Sequence, residues 1–243
     1  MTTQQEQMFQ CAIFSVDGNI GSGKSTLVRT LKSYYENDFD KNKLECWKDY
    51  EGIIFIQEPV DIWMTIQDNE GETILSKFYK DSKKYAFSFQ MMAYISRIHI
   101  LKEAVRKHPN HIIITERCVE TDRYVFAKML YDDGKIEEVN YNIYLMWFDE
   151  FIKDIPIRGH IYVNTDPLVC EERIKKRNRD GEAIPLTYLE NCHKYHEEWL
   201  NNTSPVYIVN GNVDNTTTNH VDIKTSVISW LNEEGWENMV DSE

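Results

Sequence analysis

Gly18–Ser25 reads GNIGSGKS, a G-x-x-x-x-G-K-S pattern, and it follows directly on the apolar run Cys11–Val16. This is the P-loop pattern, which requires a strand before it and a helix after it. Gly18, Gly21 and Gly23 let the backbone bend so that successive N–H groups converge on one anion. The helix that follows adds its positive N-terminal end. Lys24 brings a mobile cation for a migrating phosphoryl group, and Ser25 a hydroxyl ligand for Mg²⁺. The candidate phosphate-binding segment is therefore Gly18, Asn19, Ile20, Gly21, Ser22, Gly23, Lys24, Ser25 and Thr26.

The rest of the chain alternates short apolar runs with helical stretches, which predicts an α/β fold of the P-loop kinase type. Strands are expected at Ile13–Asp17, Ile53–Gln57, Ile112–Thr115, His160–Asn164 and Val206–Val209, giving a parallel sheet of about five strands flanked by helices. Helices are expected at Thr26–Tyr35, Thr73–Arg106 with a break near Asp81, Glu120–Leu130, Tyr141–Lys153, Pro167–Arg177, Leu186–Asn201 and His220–Leu231. Pro59 is expected to end regular structure after Glu58. A length of 243 residues suits one domain over 1–243, with disordered tails at 1–10 and 235–243.

A net charge of −13 argues against nonspecific binding to nucleic acid or to an anionic membrane. Five scattered cysteines without a C-x-x-C pair read as reduced thiols. The start MTTQQEQMFQ has neither an apolar core nor arginines, so a cytoplasmic location is expected.

Three predicted strands end in polar residues: Asp17, Glu58 and the pair Glu116-Arg117. In a parallel α/β sheet the carboxyl ends of the strands border the binding crevice, so a common site is expected there. On position alone Glu58 is either a solvated acid or a base for an acceptor hydroxyl. Glu116 can hold Mg²⁺ and Arg117 can stabilise charge at the attacked phosphate, unless the two form an internal ion pair. Arg173, Arg177 and Arg179 form the dense basic cluster of this acidic chain and suit a lid over 172–184 that closes on donor phosphates. Gln90, Ala93 and Arg97 fall on one helix face beside Phe87 and Phe89. That stripe is either core or the wall of a base pocket. His193 and His196 lack metal-site spacing and read as packed or solvated.

Taken in order, Gly18–Ser25, EPV at Glu58–Val60 with Trp63, Phe89-Gln90, Ser96-Arg97, Glu116-Arg117, DRYVFA at Asp122–Ala127 and IPL-x-YLE at Ile184–Glu190 are similar to the motifs of the deoxynucleoside kinase family. The resemblance runs from about Ile13 to Trp199. It implies transfer of the γ-phosphate of ATP or another nucleoside triphosphate to the 5′-hydroxyl of a deoxyribonucleoside, in nucleotide salvage. It implies Glu58 as general base, with Arg117 and Lys24 catalytic beside it. Ser25 and Glu116 would hold Mg²⁺, and the three lid arginines would neutralise phosphate charge. Tyr79 and Glu182 would meet the sugar 3′-hydroxyl, and Gln90 the base edge. Trp63, Phe89 and Phe126 would wall the base, with Leu75 and Phe78 nearby. Ala93, Arg97 and Asp122 resemble the deoxycytidine/deoxyguanosine kinase branch, which implies deoxycytidine and deoxypurines over thymidine. The family also implies a homodimer. The segment 39–52 is extra relative to the family pattern, and the lid RNRDGEAIPL is about one residue short of it. The competing readings are a nucleoside monophosphate kinase of the thymidylate type and a non-enzymatic nucleotide-binding subunit.

Overall fold

The computed structural model describes residues 11–39, 50–179, 182, 184–213 and 220–240. The expected tail at 1–10 and most of the extra segment 39–52 lie outside them. The elements in chain order are β1 (Ala12–Asp17), α1 (Lys24–Asn37), β2 (Gly52–Ile56), α2 (Val60–Thr65), α3 (Ile74–Lys80), α4 (Ser82–Lys107) and β3 (His111–Glu116). A helical turn (Val119–Thr121), a π-helix (Asp122–Ala127) and α5 (Lys128–Asp132) follow, then α6 (Glu138–Phe151) and β4 (Ile157–Asn164). The chain closes with α7 (Pro167–Arg177), α8 (Leu186–Leu200), β5 (Val206–Asn210) and α9 (His220–Val240).

The strands form one sheet in the order β2-β3-β1-β4-β5, every pair parallel. Parallel strands need helical crossovers, and these cover both faces. All six residues of the central strand β1 are buried, as such a position requires. Its side chains alternate between two cores. Phe14 and Val16 pack with Leu27, Val28 and Leu31 of α1 and with Val227 and Leu231 of α9. Ile13 joins the opposite core, with Tyr94, Ile98 and Leu101 of α4 and Tyr144 and Phe148 of α6.

Local signals set most of the helix ends. The break expected near Asp81 is real: Asp81 closes α3 and its carboxylate accepts from the Lys84 N–H to start α4. Asp166 caps α7 ahead of Pro167, and Asn178 ends it in the left-handed region.

Three expectations need correction. Pro59 does not end regular structure; it stands at the start of the short helix α2, where its missing N–H is not needed. The helix expected over Glu120–Leu130 is not one α-helix, because residues 122–127 wind as a π-helix with an extra residue in the turn. β2 is an edge strand, with Ile53 alone fully covered. The closing helix also runs past Leu231 to Val240.

Phe14 is wholly buried at the centre of the sheet and meets Trp230 edge-on at 5.8 Å between ring centroids. Phe14→Ala is expected to lower the unfolding free energy by about 3–5 kcal/mol, measured by urea denaturation.

Candidate active site

A cleft of about 630 Å³ opens at the carboxyl ends of the strands. One side is the loop between β1 and α1. Helix α1 starts at Gly23, φ +105°, with no side chain capping its first N–H groups, so they remain available to an anion. A Cβ on Gly18 would come within 2.6 Å of the Val163 carbonyl oxygen, and one on Gly21 within 2.7 Å of that of Cys170. The loop is thus wedged against β4 and α7, and glycine is required at both positions. Lys24 is 4% exposed, and its Nζ donates to the Asn19 carbonyl at 2.6 Å. Burial, then the neighbouring Arg117, push its ammonium down to about 7, against Glu116 and Glu58.

Facing the loop, β2 and β3 deliver an interlocked charge cluster. Arg97, 3% exposed on α4, donates through Nε to Asp122 Oδ2 at 2.9 Å, through Nη1 to the Glu116 carbonyl at 3.1 Å and through Nη2 to Glu58 Oε1 at 3.1 Å. Arg117 Nη1 donates to the same Glu58 oxygen at 2.6 Å. Burial alone would raise the Glu58 pKa; the guanidiniums of Arg117 and Arg97 outweigh it and hold the carboxyl well below the usual range. Arg117 has φ +60°, a strained left-handed backbone for a non-glycine residue, and its N–H bonds to the Val16 carbonyl. Ser25 Oγ donates to Glu116 Oε1 at 2.6 Å, so two hard oxygen ligands from opposite sides of the cleft already meet. That donor set fits Mg²⁺.

Deeper in, Phe78 and Phe89 stack at 4.6 Å, Trp63 meets Phe89 edge-on, and the Trp63 indole N–H donates to Ser96. Gln90 lies 2% exposed with its Oε1 unpartnered in the cleft wall. Leu75, Tyr79, Ala93 and Phe126 line the same space. At the mouth stand Arg173, Arg177, Arg179 and Glu182.

Nearly all of the expected site residues therefore converge, with two corrections. Gly18, Asn19 and Ser22 do not line the cleft: the Asn19 side chain donates to the Leu189 carbonyl, and the Ser22 carbonyl accepts from Thr165 and Arg173. They shape and brace the loop from behind. Asp17, expected among the polar strand ends bordering the site, is fully buried beneath it and accepts from Ser15, Thr121 and His160. Glu182, expected with Tyr79, is held by Arg177, whose Nη2 lies 2.7 and 2.6 Å from its two oxygens. Beyond β5 the chain is described as far as Val213, whose carbonyl accepts from Arg173. Sequence reasoning missed Tyr188, Arg29 and Asp61 in the cleft wall. Tyr188 was within reach, since it belongs to the IPL-x-YLE run.

His160 is the other residue with no earlier assignment. Its Nδ1 lies 2.8 Å from Asp17 and its Nε2 3.2 Å from Glu120. Burial disfavours its charge, but the two carboxylates raise its pKa to about 9. With Cys118, Asp17 and His160 lie close enough to hold a metal. Yet both ring nitrogens are engaged by carboxylates, and burial pushes the Cys118 thiol well up, so the group is an ion-pair network. His196 is buried and neutral, driven down to about 3 by burial. Among the described residues no helix is long and apolar enough to cross a membrane.

The family model described as deoxynucleoside kinase matches residues 14–233. A probable deoxycytidine kinase of fowlpox virus (strain NVSL) is 34% identical over 210 residues, covering 82% of this chain and 79% of the relative. The mitochondrial deoxyguanosine kinase of Xenopus laevis is 34% identical over 205 residues, covering 76% and 72%. The deoxycytidine kinase of Homo sapiens is 32% identical over 207 residues, covering 76% and 74%.

Folded His160 holds its proton up to about pH 9, and an unfolded histidine only to about pH 6.5. Its contribution to stability is therefore complete below pH 6.5 and fades as the pH rises through 9. The gap in unfolding free energy between the wild type and His160→Gln is expected to shrink by up to about 3 kcal/mol over that interval, followed by urea titration at each pH.

Proposed function

The chain belongs to the deoxynucleoside kinase family, and on that premise we propose that it transfers the γ-phosphoryl group of ATP or another nucleoside triphosphate to the 5′-hydroxyl of a deoxyribonucleoside, as a single-domain salvage enzyme of the cytoplasm. The observation that carries this reading is Glu58, an ionised carboxylate across the cleft from the P-loop, with Oε1 held by two guanidiniums. A carboxylate on the acceptor side suits a hydroxyl and repels a phosphate, which speaks against a monophosphate acceptor. With Lys24 also intact, it speaks against a non-catalytic subunit.

In this mechanism the sugar hydroxyl meets Glu58, and its Oε2, which has no guanidinium on it, accepts the proton. A low pKa makes Glu58 a weak base. The transition state is loose, however, so orienting the hydroxyl matters more than early proton removal. Arg117 steadies Glu58 and the charge at the attacked phosphate. Lys24, Arg173, Arg177 and Arg179 neutralise the migrating group. The anionic donor restores the charge of Lys24, which burial and the neighbouring Arg117 disfavour. Ser25 and Glu116 would hold Mg²⁺, which would supply positive charge against the donor phosphates.

On the acceptor side Tyr79 crowds C2′ and disfavours ribose, and Gln90 offers its free amide oxygen to the base edge. The Arg97–Asp122 pair presents donors and acceptors to cytosine or a purine and fills the space a thymine methyl group needs. Expected activity with ATP and Mg²⁺ is therefore higher kcat/KM for deoxycytidine and the deoxypurines than for thymidine; thymidine as best substrate would overturn the base assignment. Glu58→Gln should lower kcat by about 10²–10⁴, and unchanged turnover would remove Glu58 from the chemistry.

The protein is also proposed to be a homodimer. Val139, Ile143, Met146 and Trp147 lie on one face of α6, and Met146 and Val139 are 73% and 68% exposed. Ile95 of α4 is exposed as well. An apolar strip of this kind suits a matching strip on a second copy. Light scattering should give a dimer for the wild type and a monomer for Met146→Glu.

A further inference from the structure

Asp17 ends β1 and stands next to the first glycine of the P-loop, yet neither it nor Glu120, Thr121 and His160 around it lines the cleft. Its Oδ1 accepts from Ser15 Oγ at 2.9 Å and from Thr121 Oγ1, and its Oδ2 lies 2.8 Å from His160 Nδ1. On the far side of the ring, His160 Nε2 lies 3.2 Å from Glu120. Burial disfavours charge on Asp17, but His160, then Thr121 and Ser15, hold its carboxyl below the usual range. Asp17 therefore grips Thr121 directly and Glu120 through the imidazole.

The gripped segment is the one on which Glu58 depends. It opens with Arg117, whose left-handed backbone, φ +60°, is strained for a residue with a side chain. The Arg117 N–H bonds the Val16 carbonyl and its Nη2 donates to the Gly18 carbonyl at 3.3 Å, so the arginine straddles Asp17 while Nη1 holds Glu58. The segment leads to Asp122, which holds Arg97, the second guanidinium on Glu58. Both donors to Glu58 thus take their bearings from residues 117–122. A strained backbone persists only where its surroundings over-determine it. We propose that Asp17 and His160 are positioning residues for phosphoryl transfer: by clamping Thr121 and Glu120 to the root of the P-loop, they hold Arg117 in its left-handed conformation and keep both guanidiniums directed at Glu58. The donor loop has separate bracing, since Gly18 and Gly21 are wedged against β4 and α7, Asn19 donates to Leu189, and the Ser22 carbonyl accepts from Thr165 and Arg173. Loosening the clamp therefore costs rate and leaves donor affinity in place. This inference rests on the deoxynucleoside kinase reading above.

The test uses the full chain and the deoxynucleoside it phosphorylates best. Single-turnover phosphorylation at saturating ATP and Mg²⁺ is measured beside calorimetric titration of a non-hydrolysable ATP analogue. Valine at 121 keeps the threonine shape without the hydroxyl, and His160 still compensates Asp17. Thr121→Val is expected to slow the turnover about tenfold, the rate equivalent of releasing one strained backbone, with analogue affinity unchanged. Thr121→Ser restores the hydroxyl and should restore the rate. In a Glu58→Gln background, Thr121→Val should cost nothing further, because the clamp acts through that carboxylate. An unchanged rate in Thr121→Val overturns the proposal. So does a parallel loss of analogue affinity, or a full additional loss on top of Glu58→Gln, either of which marks general loosening of the fold. If Thr121→Val does not fold, Glu120→Ala, which cuts the partly exposed end of the clamp, decides by the same criteria. A wild type that phosphorylates a deoxynucleoside while its variants match it overturns this inference and leaves the kinase reading standing; a wild type that phosphorylates none overturns both.

Discussion

The cleft depends on one buried guanidinium. Arg97 reaches Asp122 at the start of the π-helix, the carbonyl of Glu116 at the end of β3, and Glu58 at the end of β2. The segment after β2 and the one running from β3 into the π-helix are therefore tied to one planar group with fixed donor directions. Removing a partner from such a cluster leaves a buried charge unpaired, a loss on the order of 3–5 kcal/mol. The same contacts join the residue proposed to read the base to the residue proposed to meet the hydroxyl. The acceptor side is thus pre-organised before anything binds, and a loose phosphoryl transfer needs little more than position and charge.

The donor side is built on the opposite principle, N–H groups and a buried cation that an anion would compensate. α1 begins without a side-chain cap, and Lys24 is buried with its charge disfavoured. Both are electrostatic deficits that an anion relieves. What keeps the loop from collapsing onto them is the packing behind it. Gly18 and Gly21 are wedged against β4 and α7, and the carbonyl of Ser22 is pinned by Thr165 and Arg173. Beneath, Asp17 is locked by His160 and Thr121, which links the root of the P-loop to the turn that leads into Asp122. Donor and acceptor halves thus share a buried polar strut as well as a cleft.

Much of this was legible in the chain. The P-loop required a strand and a helix around it, and the short apolar runs supplied the remaining parallel strands, because apolar strands between helical stretches have few other ways to be covered on both faces. Polar residues at strand ends pointed to one crevice, and Glu58, Glu116 and Arg117 do meet there. The misses were of one kind. Asp17 looked like a site residue because strand-end position does not reveal which face a side chain takes. The π-helix was invisible because its turn depends on contacts with α4 and α8 rather than on local propensity. Arg29 and Asp61 carry no signal that separates a cleft wall from any other helix surface.

By itself, then, the sequence determined the fold class, the phosphate loop and the residue types of the cleft, since these follow from local pattern and motif spacing. Tertiary structure alone decided the pairings. That Glu58 is shared by Arg97 and Arg117, that Asp17 faces His160 and that Arg177 holds Glu182 all depend on where the crossovers bring distant side chains. Charge interactions at this range change with every ångström and with burial, and neither quantity is written in the order of residues along the chain.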